Sequence, residues 1–425
     1  MFDTVRHPEF AAWAFLAVAL WGLAFTINAL RPRPHDTATG ELGLALSFFS
    51  AWVTTELVLH HFLVQALVTV GFVAMGALAH PAGGAAALLT LGSWAGLGVM
   101  FKSAWDDGAV VAAALHDDLG ITPERPKIAW RRVLWPFGAM GLDLVRHRDL
   151  AYLDDGSSRH RLDVYHRSDQ LPSGAPILLQ IHGGAWIIGD KRQQGMPLVR
   201  HMAGRGWLCV ATNYGLSPRA TWPDHLIDCK RALAWIRAHA AEYGGDPSCV
   251  VVTGGSAGGH LAAMMALTAN DPEFQPGFEE VDTSVRAFVP FYGVFDWTDR
   301  FGIRGARDGL RRRLERWIVK RDRDQYFEVF DRASPLSRLE GRGDAIPPAL
   351  VIHGRRDNLA PVAEARAFVS GLRTTSEEAV VYVELGGAHH AFDLFASVRT
   401  LQTNHAVETF GRWVVAQHRA EAESS

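Results

Sequence analysis

Ser248-Cys-Val-Val-Val-Thr-Gly-Gly-Ser-Ala-Gly-Gly-His-Leu-Ala262 sets a serine between glycines where an apolar, β-branched run gives way to a helix-forming one. Cys249 to Thr253 has the composition of a buried parallel strand, and Leu261 to Leu267 that of a helix. Ser256 falls at the junction, and Gly254 and Gly258 complete the pattern G-x-S-x-G. A nucleophile held on a tight strand-to-helix turn needs such small neighbours, because the helix must pass close to the strand. A phosphate loop would require Lys followed by Ser or Thr after the glycines, whereas Gly259-His260-Leu261 follows here. The dinucleotide pattern G-x-G-x-x-G is not matched either.

Working upstream, Pro176-Ile-Leu-Leu-Gln-Ile-His-Gly-Gly-Ala-Trp186 reads as a second buried strand ending in a glycine loop. Acyl transfer from an ester develops negative charge on the carbonyl oxygen, and preset backbone N–H groups stabilise it. Gly183 and Gly184, with Ala257 next after the serine, are the expected oxyanion donors, and Ala185 is an alternative to Gly183. His182 reads as a structural histidine of the turn.

Downstream, an acid and then a histidine should follow, each beyond a strand end. Pro348-Ala-Leu-Val-Ile-His-Gly-Arg-Arg-Asp357 supplies the carboxylate Asp357, and Ala379-Val-Val-Tyr-Val-Glu-Leu385 leads into Gly386-Gly-Ala-His-His-Ala-Phe-Asp393. The residues alone leave His389 and His390 open as the base. From about residue 146 onward these motifs resemble the α/β-hydrolase superfamily, in its hormone-sensitive-lipase-like carboxylesterase branch. That resemblance implies His390, which precedes Ala391 and Phe392, as the base. It extends to Asn213-Tyr-Gly-Leu-Ser-Pro218, Trp222-Pro-Asp224 and Asp228. Gly215 stands where the branch commonly has Arg, and Ala185 where it commonly has a third glycine. The implied activity is ester hydrolysis by Ser256, His390 and Asp357, with no metal or cofactor. An aryl-formamidase-like amide hydrolase and a non-catalytic binding protein of the same fold are the alternatives.

The fold class expected is therefore α/β: a mostly parallel sheet with helices on both faces, entered through a β-hairpin over residues 149–165. An insertion near 296–345 should shape the substrate pocket. Within it Leu310, Leu314, Trp317 and Ile318 recur at helical spacing among Arg311, Arg312, Arg313, Arg316 and Lys320, giving either a lid on anionic lipid or an ordinary amphipathic helix. Phe291, Tyr292 and Phe295 read as pocket wall or core. Cys209, Cys229 and Cys249 sit inside regular elements, as buried thiols do.

The 425 residues, 48% of them hydrophobic, easily permit more than one domain. A formal net charge of −3 gives no electrostatic case for nucleic acid. The first hundred residues differ from the rest. Ala11 to Leu30 carries no charge and is long enough to span a bilayer core of about 30 Å. Leu42 to Ala79 is apolar but interrupted by Glu56, His60, His61 and Gln65; it reads as an entry portion followed by a span over about 61–79. Gly84 to Phe101 makes a third span. Glu56 marks either a polar pocket or the point where the helix breaks near an interface. His60, His61 and His80 lack carboxylate or cysteine companions and read as structural rather than metal-binding.

Arg31, Arg33, Lys102, Arg125, Lys127, Arg131 and Arg132 flank the spans on one side and only Arg6 on the other. This places the catalytic domain in the cytoplasm, at the inner membrane. The division expected is a transmembrane region over 1–105, a linker with an interfacial helix over 106–145, and the hydrolase over 146–420. The partners expected are the bilayer and a small-molecule or lipid ester.

Overall fold

The computed structural model describes residues 8–32, 40–124, 126–136, 144–167, 173–305, 308–341 and 343–424. Arg6, Arg33 and Arg125, used above for orientation, lie outside them.

Eight strands form one sheet in the order β1-β2-β4-β3-β5-β6-β7-β8. They are β1 (Leu144–Ala151), β2 (Arg161–Arg167), β3 (Ala175–Ile181), β4 (Leu208–Thr212), β5 (Gly245–Gly255), β6 (Ala287–Phe291), β7 (Ala349–Gly354) and β8 (Val380–Leu385). β1 and β2 are the antiparallel opening hairpin, β2 also runs antiparallel to β4, and every later pairing is parallel. Val250, Val251 and Val252 are buried, as strands covered on both faces require.

Four helices precede the sheet: α1 (Pro8–Leu30), α2 (Gly40–Glu56), α3 (Val58–Ala74) and α4 (Pro81–Leu119). A short α5 (Trp130–Leu134) leads into β1. The sheet is then covered by α6 (Met196–Ala203), α7 (Asp224–His239), α8 (Ala257–Leu267), α9 (Gly309–Arg313), α10 (Phe327–Arg332), α11 (Val362–Thr375) and α12 (Val398–Ser424).

Among the described residues, α1 and α4 are each long and apolar enough to cross a membrane, and α2 and α3 form a pair bent by 88° at Leu57. α1 and α4 run parallel. Ala12 and Phe15 of α1 pack with Ala82 and Ala86 of α4, and one register further on Thr26 shares a 2.8 Å hydrogen bond with Ser93. A methyl on Gly96 would run into Thr26, so only glycine allows this approach of two helices. α3 runs the other way, because Gly76, just after its end, lies beside Pro8 at the start of α1, while His60 near its start bonds the carbonyl of Leu134 at 3.1 Å. His80 accepts from the Ala82 amide and caps α4. Large apolar side chains on these helices, including Trp21, Leu67, Val70 and Leu88, face outward. A water-soluble domain would not leave such a belt uncovered.

Of the linker expected over 106–145, residues 106–119 are helix. α4 continues unbroken for 39 residues, about 58 Å at 1.5 Å per residue. Asp107 is buried, and Val111 and Leu115 join the core that holds Leu350, Val381 and Phe410. α4 thus runs without a break from the apolar helices into the hydrolase core. α5 buries Val133 against Val398 and Leu401 and leaves Trp130, Leu134 and Trp135 exposed. In the insertion, α9 runs into a π-helical turn over Leu314–Ile318, and both Leu314 and Ile318 are fully buried in the main core. Leu314 and Ile318 are thus packed on the hydrolase as in an ordinary amphipathic helix, while Trp317 stays exposed.

Candidate active site

Strand register brings the site together. Ile181 at the end of β3 pairs with Gly254 in β5, so the glycine loop and the elbow leave the sheet side by side. Gly354 of β7 pairs with Leu385 of β8, which sets the loops bearing Asp357 and His390 against each other. All four loops lie at the carboxyl edge of the parallel strands, the usual position for a site in an open α/β sheet.

Ser256 is the residue between β5 and α8, with φ 58° and ψ −120°. A serine keeps this unfavourable conformation only if its surroundings impose it. Its amide donates to the Phe291 carbonyl at 3.0 Å. A methyl on Gly254 would sit 2.5 Å from the Gly258 carbonyl oxygen, and one on Gly258 would strike that of Ile181. Both glycines of the motif are therefore needed for the close passage of helix and strand.

His390 Nε2 lies 2.8 Å from Ser256 Oγ, and Nδ1 lies 2.6 Å from Asp357 Oδ2. The other carboxylate oxygen of Asp357 accepts the amides of Leu359 at 2.9 Å and Ala360 at 2.8 Å. Burial acts to raise the pKa of Asp357, yet His390 and the hydrogen bonds outweigh it and hold the group below the usual carboxylate range. Of the two histidines left open by the residues alone, geometry gives His390 the position of a base. His389 instead bonds the carbonyl of Ala29, at the end of α1, at 3.0 Å. Burial pushes its pKa down to about 4, consistent with a neutral ring donating that bond.

The glycine loop departs from expectation at one point. The amide of Gly183, expected as an oxyanion donor, donates to Gln194 Oε1. Of the donors named from sequence, the amides of Gly184, of Ala185, the alternative to Gly183, and of Ala257 have no acceptor among the described residues, and Ala257 opens α8, where amides lack intrahelical partners. Gly184, Ala185 and Trp186 have φ values of 108°, 52° and 60°. Trp186 anchors this run: its fully buried ring meets His260 and Trp297 edge-on, at 5.1 and 5.0 Å. His182 behaves as a structural residue. It stacks on Tyr214 at 4.4 Å, Arg159 Nη2 lies 3.0 Å from its Nε2, and burial lowers its pKa to about 4.

Gln194 and Asp393 escaped the sequence reading, and Tyr292, read there as pocket wall or core, joins them. Gln194 Nε2 donates to the Tyr292 hydroxyl at 3.0 Å, and that hydroxyl donates to Asp393 Oδ1. The ring of Tyr292 lies 4.7 Å from that of His390. Tyr292 thus belongs at the site through its hydroxyl, while Phe291 and Phe295 are core. Asp393 is buried, and burial lifts its pKa to about 6. Together they tie the glycine loop to the histidine loop. Gln194→Ala should leave the Gly183 amide and the Tyr292 hydroxyl each short of a partner. A buried polar group left unpaired costs about 1–3 kcal/mol. The expected result is a fall in kcat of about tenfold with little change in KM, measured on a soluble ester; an unchanged kcat would show that the glycine loop does not need this support.

A family model described as BD-FAE matches residues 162–372. The chain is 42% identical over 428 residues to the "Probable carboxylic ester hydrolase LipM" of Mycobacterium tuberculosis, covering 96% of this chain and 95% of that protein. The match therefore takes in the N-terminal helices as well as the hydrolase. It is 43% identical to "Esterase LipC" of the same organism over 66% of this chain and 67% of the relative. Among solved structures, the esterase Est2 of Thermogutta terrifontis shares the fold, with a TM-score of 0.51 at 24% identity over 66% of this chain and 94% of its own.

Proposed function

The chain belongs to the α/β-hydrolase family that includes LipM and LipC, and from that premise we propose that it is a membrane-anchored serine esterase working through an acyl-enzyme. The observation that carries the reading is the unbroken line from Asp357 through His390 to Ser256, at 2.6 and 2.8 Å. A serine hydroxyl is a weak nucleophile near neutral pH. His390 takes its proton as Oγ attacks the ester carbonyl, and Asp357 holds the imidazole with Nδ1 protonated and stabilises the cation formed. The amides of Gly184 and Ala257, together with the positive end of α8, face the developing oxyanion. His390 returns the proton to the leaving alcohol, and water repeats the cycle on the acyl-enzyme. The relatives LipM and LipC, named as a probable carboxylic ester hydrolase and an esterase, support an ester over a formamide substrate.

We read three crossings in the N-terminal region, two by α1 and α4 and a third if the bent pair α2 and α3 counts as one. α1 and α4 pass toward the hydrolase, α3 passes back, and α2, bent away from α3 by 88°, lies along the hydrolase side. Lys102, Arg131 and Arg132 are on that same side, which favours a cytoplasmic catalytic domain.

A fluorophosphonate reacts only with an activated serine. The full chain in detergent is expected to take up one equivalent, on Ser256, and to release p-nitrophenol from an ester in a burst of matching size. Labelling elsewhere, or turnover that survives complete labelling, would remove Ser256 from the mechanism.

A further inference from the structure

The helix α2 lies against the loop that carries the base. Phe48 is buried with its ring edge-on to that of His390, at 6.2 Å and 72°. One turn on, Trp52 donates from Nε1 to the carbonyl of Ala391 at 2.8 Å and stacks on Phe395 at 4.9 Å. At the end of α2, Glu56 accepts from Ser397 Oγ at 2.7 Å and pairs with Arg399. These attachments follow one another along residues 390–399, so α2 is fixed beside the reacting atoms. Its other side is apolar and open: Leu42, Leu46 and Phe49 are 73%, 63% and 56% exposed. One face of α2 thus meets the catalytic histidine while the other presents the surface expected of a helix at the edge of a bilayer.

We propose that α2 is a wall of the substrate site, that Phe48 selects among ester chains, and that the site takes amphiphilic long-chain esters drawn from the bilayer beside it. The proposal rests on Ser256 being the nucleophile, but adds that the membrane region takes part in substrate choice. A chain attached to a carbonyl at Ser256 must pass the groups that surround His390. Phe48 is one of them, and it is contributed by the N-terminal region and not by the hydrolase fold. An apolar wall continuous with the exposed face of α2 lets the chain leave lipid without crossing water.

The test uses the full chain in detergent, with active sites titrated by a fluorophosphonate so that rates refer to competent enzyme, and p-nitrophenyl esters from butanoyl to hexadecanoyl. Phe48→Trp narrows the wall and is expected to lower kcat/KM for the dodecanoyl ester at least tenfold more than for the butanoyl ester. Phe48→Ala is expected to move that ratio in the opposite direction. Trp52→Phe keeps the stacking on Phe395 but deletes the bond to Ala391; a positioning role predicts a lower kcat by a common factor on every ester, with KM unchanged. If both Phe48 variants shift all esters by one common factor, or none at all, α2 is scaffold and the proposal fails. Loss of probe labelling at Ser256 in the wild-type chain would instead sink the nucleophile assignment, so the two failures are distinguishable.

Discussion

Ser256→Ala is expected to lower kcat by roughly 10⁴-fold or more, and His390→Ala by a similar factor, because members of such a unit lose most of their effect together. The double variant should be little worse than either single one. His389→Ala should behave differently. His389 bonds the carbonyl of Ala29, whereas the bonds to Ser256 and Asp357 are made by His390. Its removal should leave kcat within about tenfold of wild type, since a single net hydrogen bond contributes about 1 kcal/mol. Steady-state rates on butanoyl and octanoyl esters, each normalised to folded protein, decide the matter. Loss of activity at His389 with retention at His390 would reverse the assignment.

That contrast also shows how far the sequence could be read. The strand, turn and helix around Ser256 were legible because local chemistry dictates them: β-branched residues, then glycines at the two positions where backbones nearly touch. Asp357 was legible from chain order and from its place beyond a strand. His389 and His390 are adjacent and chemically identical, and only the turn of the loop separates them, so the residues alone could not choose. Gln194 gave no signal at all. It lies outside any motif, and its importance arises from a side chain reaching back to the amide of Gly183, a tertiary event. The same is true of α2. Composition revealed an apolar entry segment interrupted at Glu56, but not that Phe48 and Trp52 reach across more than three hundred residues of sequence to the loop bearing His390.

Glu56 has the most to say about how the two halves of the chain depend on each other. Its reading as the break in the helix holds, since α2 ends there and Leu57 starts the bend. It is also part of a buried ionic cluster. Arg399, at the start of α12, pairs with Glu56 through one guanidinium nitrogen and with Asp107 of α4 through Nε, at 2.7 Å, and all three side chains are almost fully excluded from solvent. One cation thus holds carboxylates from two N-terminal helices against the hydrolase.

Arg399→Ala would leave Glu56 and Asp107 buried without their countercharge. Removing one partner of such a cluster typically costs about 3–5 kcal/mol, far more than the cluster itself contributes relative to apolar packing. The expected result is a large drop in the unfolding midpoint of the detergent-solubilised chain, with activity lost as α2 separates from residues 390–399. Glu56→Gln should be milder, because Asp107 still faces the guanidinium and the amide still accepts from Ser397. Replacing Arg399 by Met together with Glu56→Leu and Asp107→Leu removes every charge of this cluster and should recover most of the stability. If Arg399→Ala unfolded at the wild-type midpoint with full activity, the two halves would not depend on this ionic cluster, and the bonds of Trp52 to Ala391 and of His389 to Ala29 with apolar packing would suffice. Recovery by the triple variant, with activity restored, would instead show that what the active site needs from the N-terminal region is its position and not its charge.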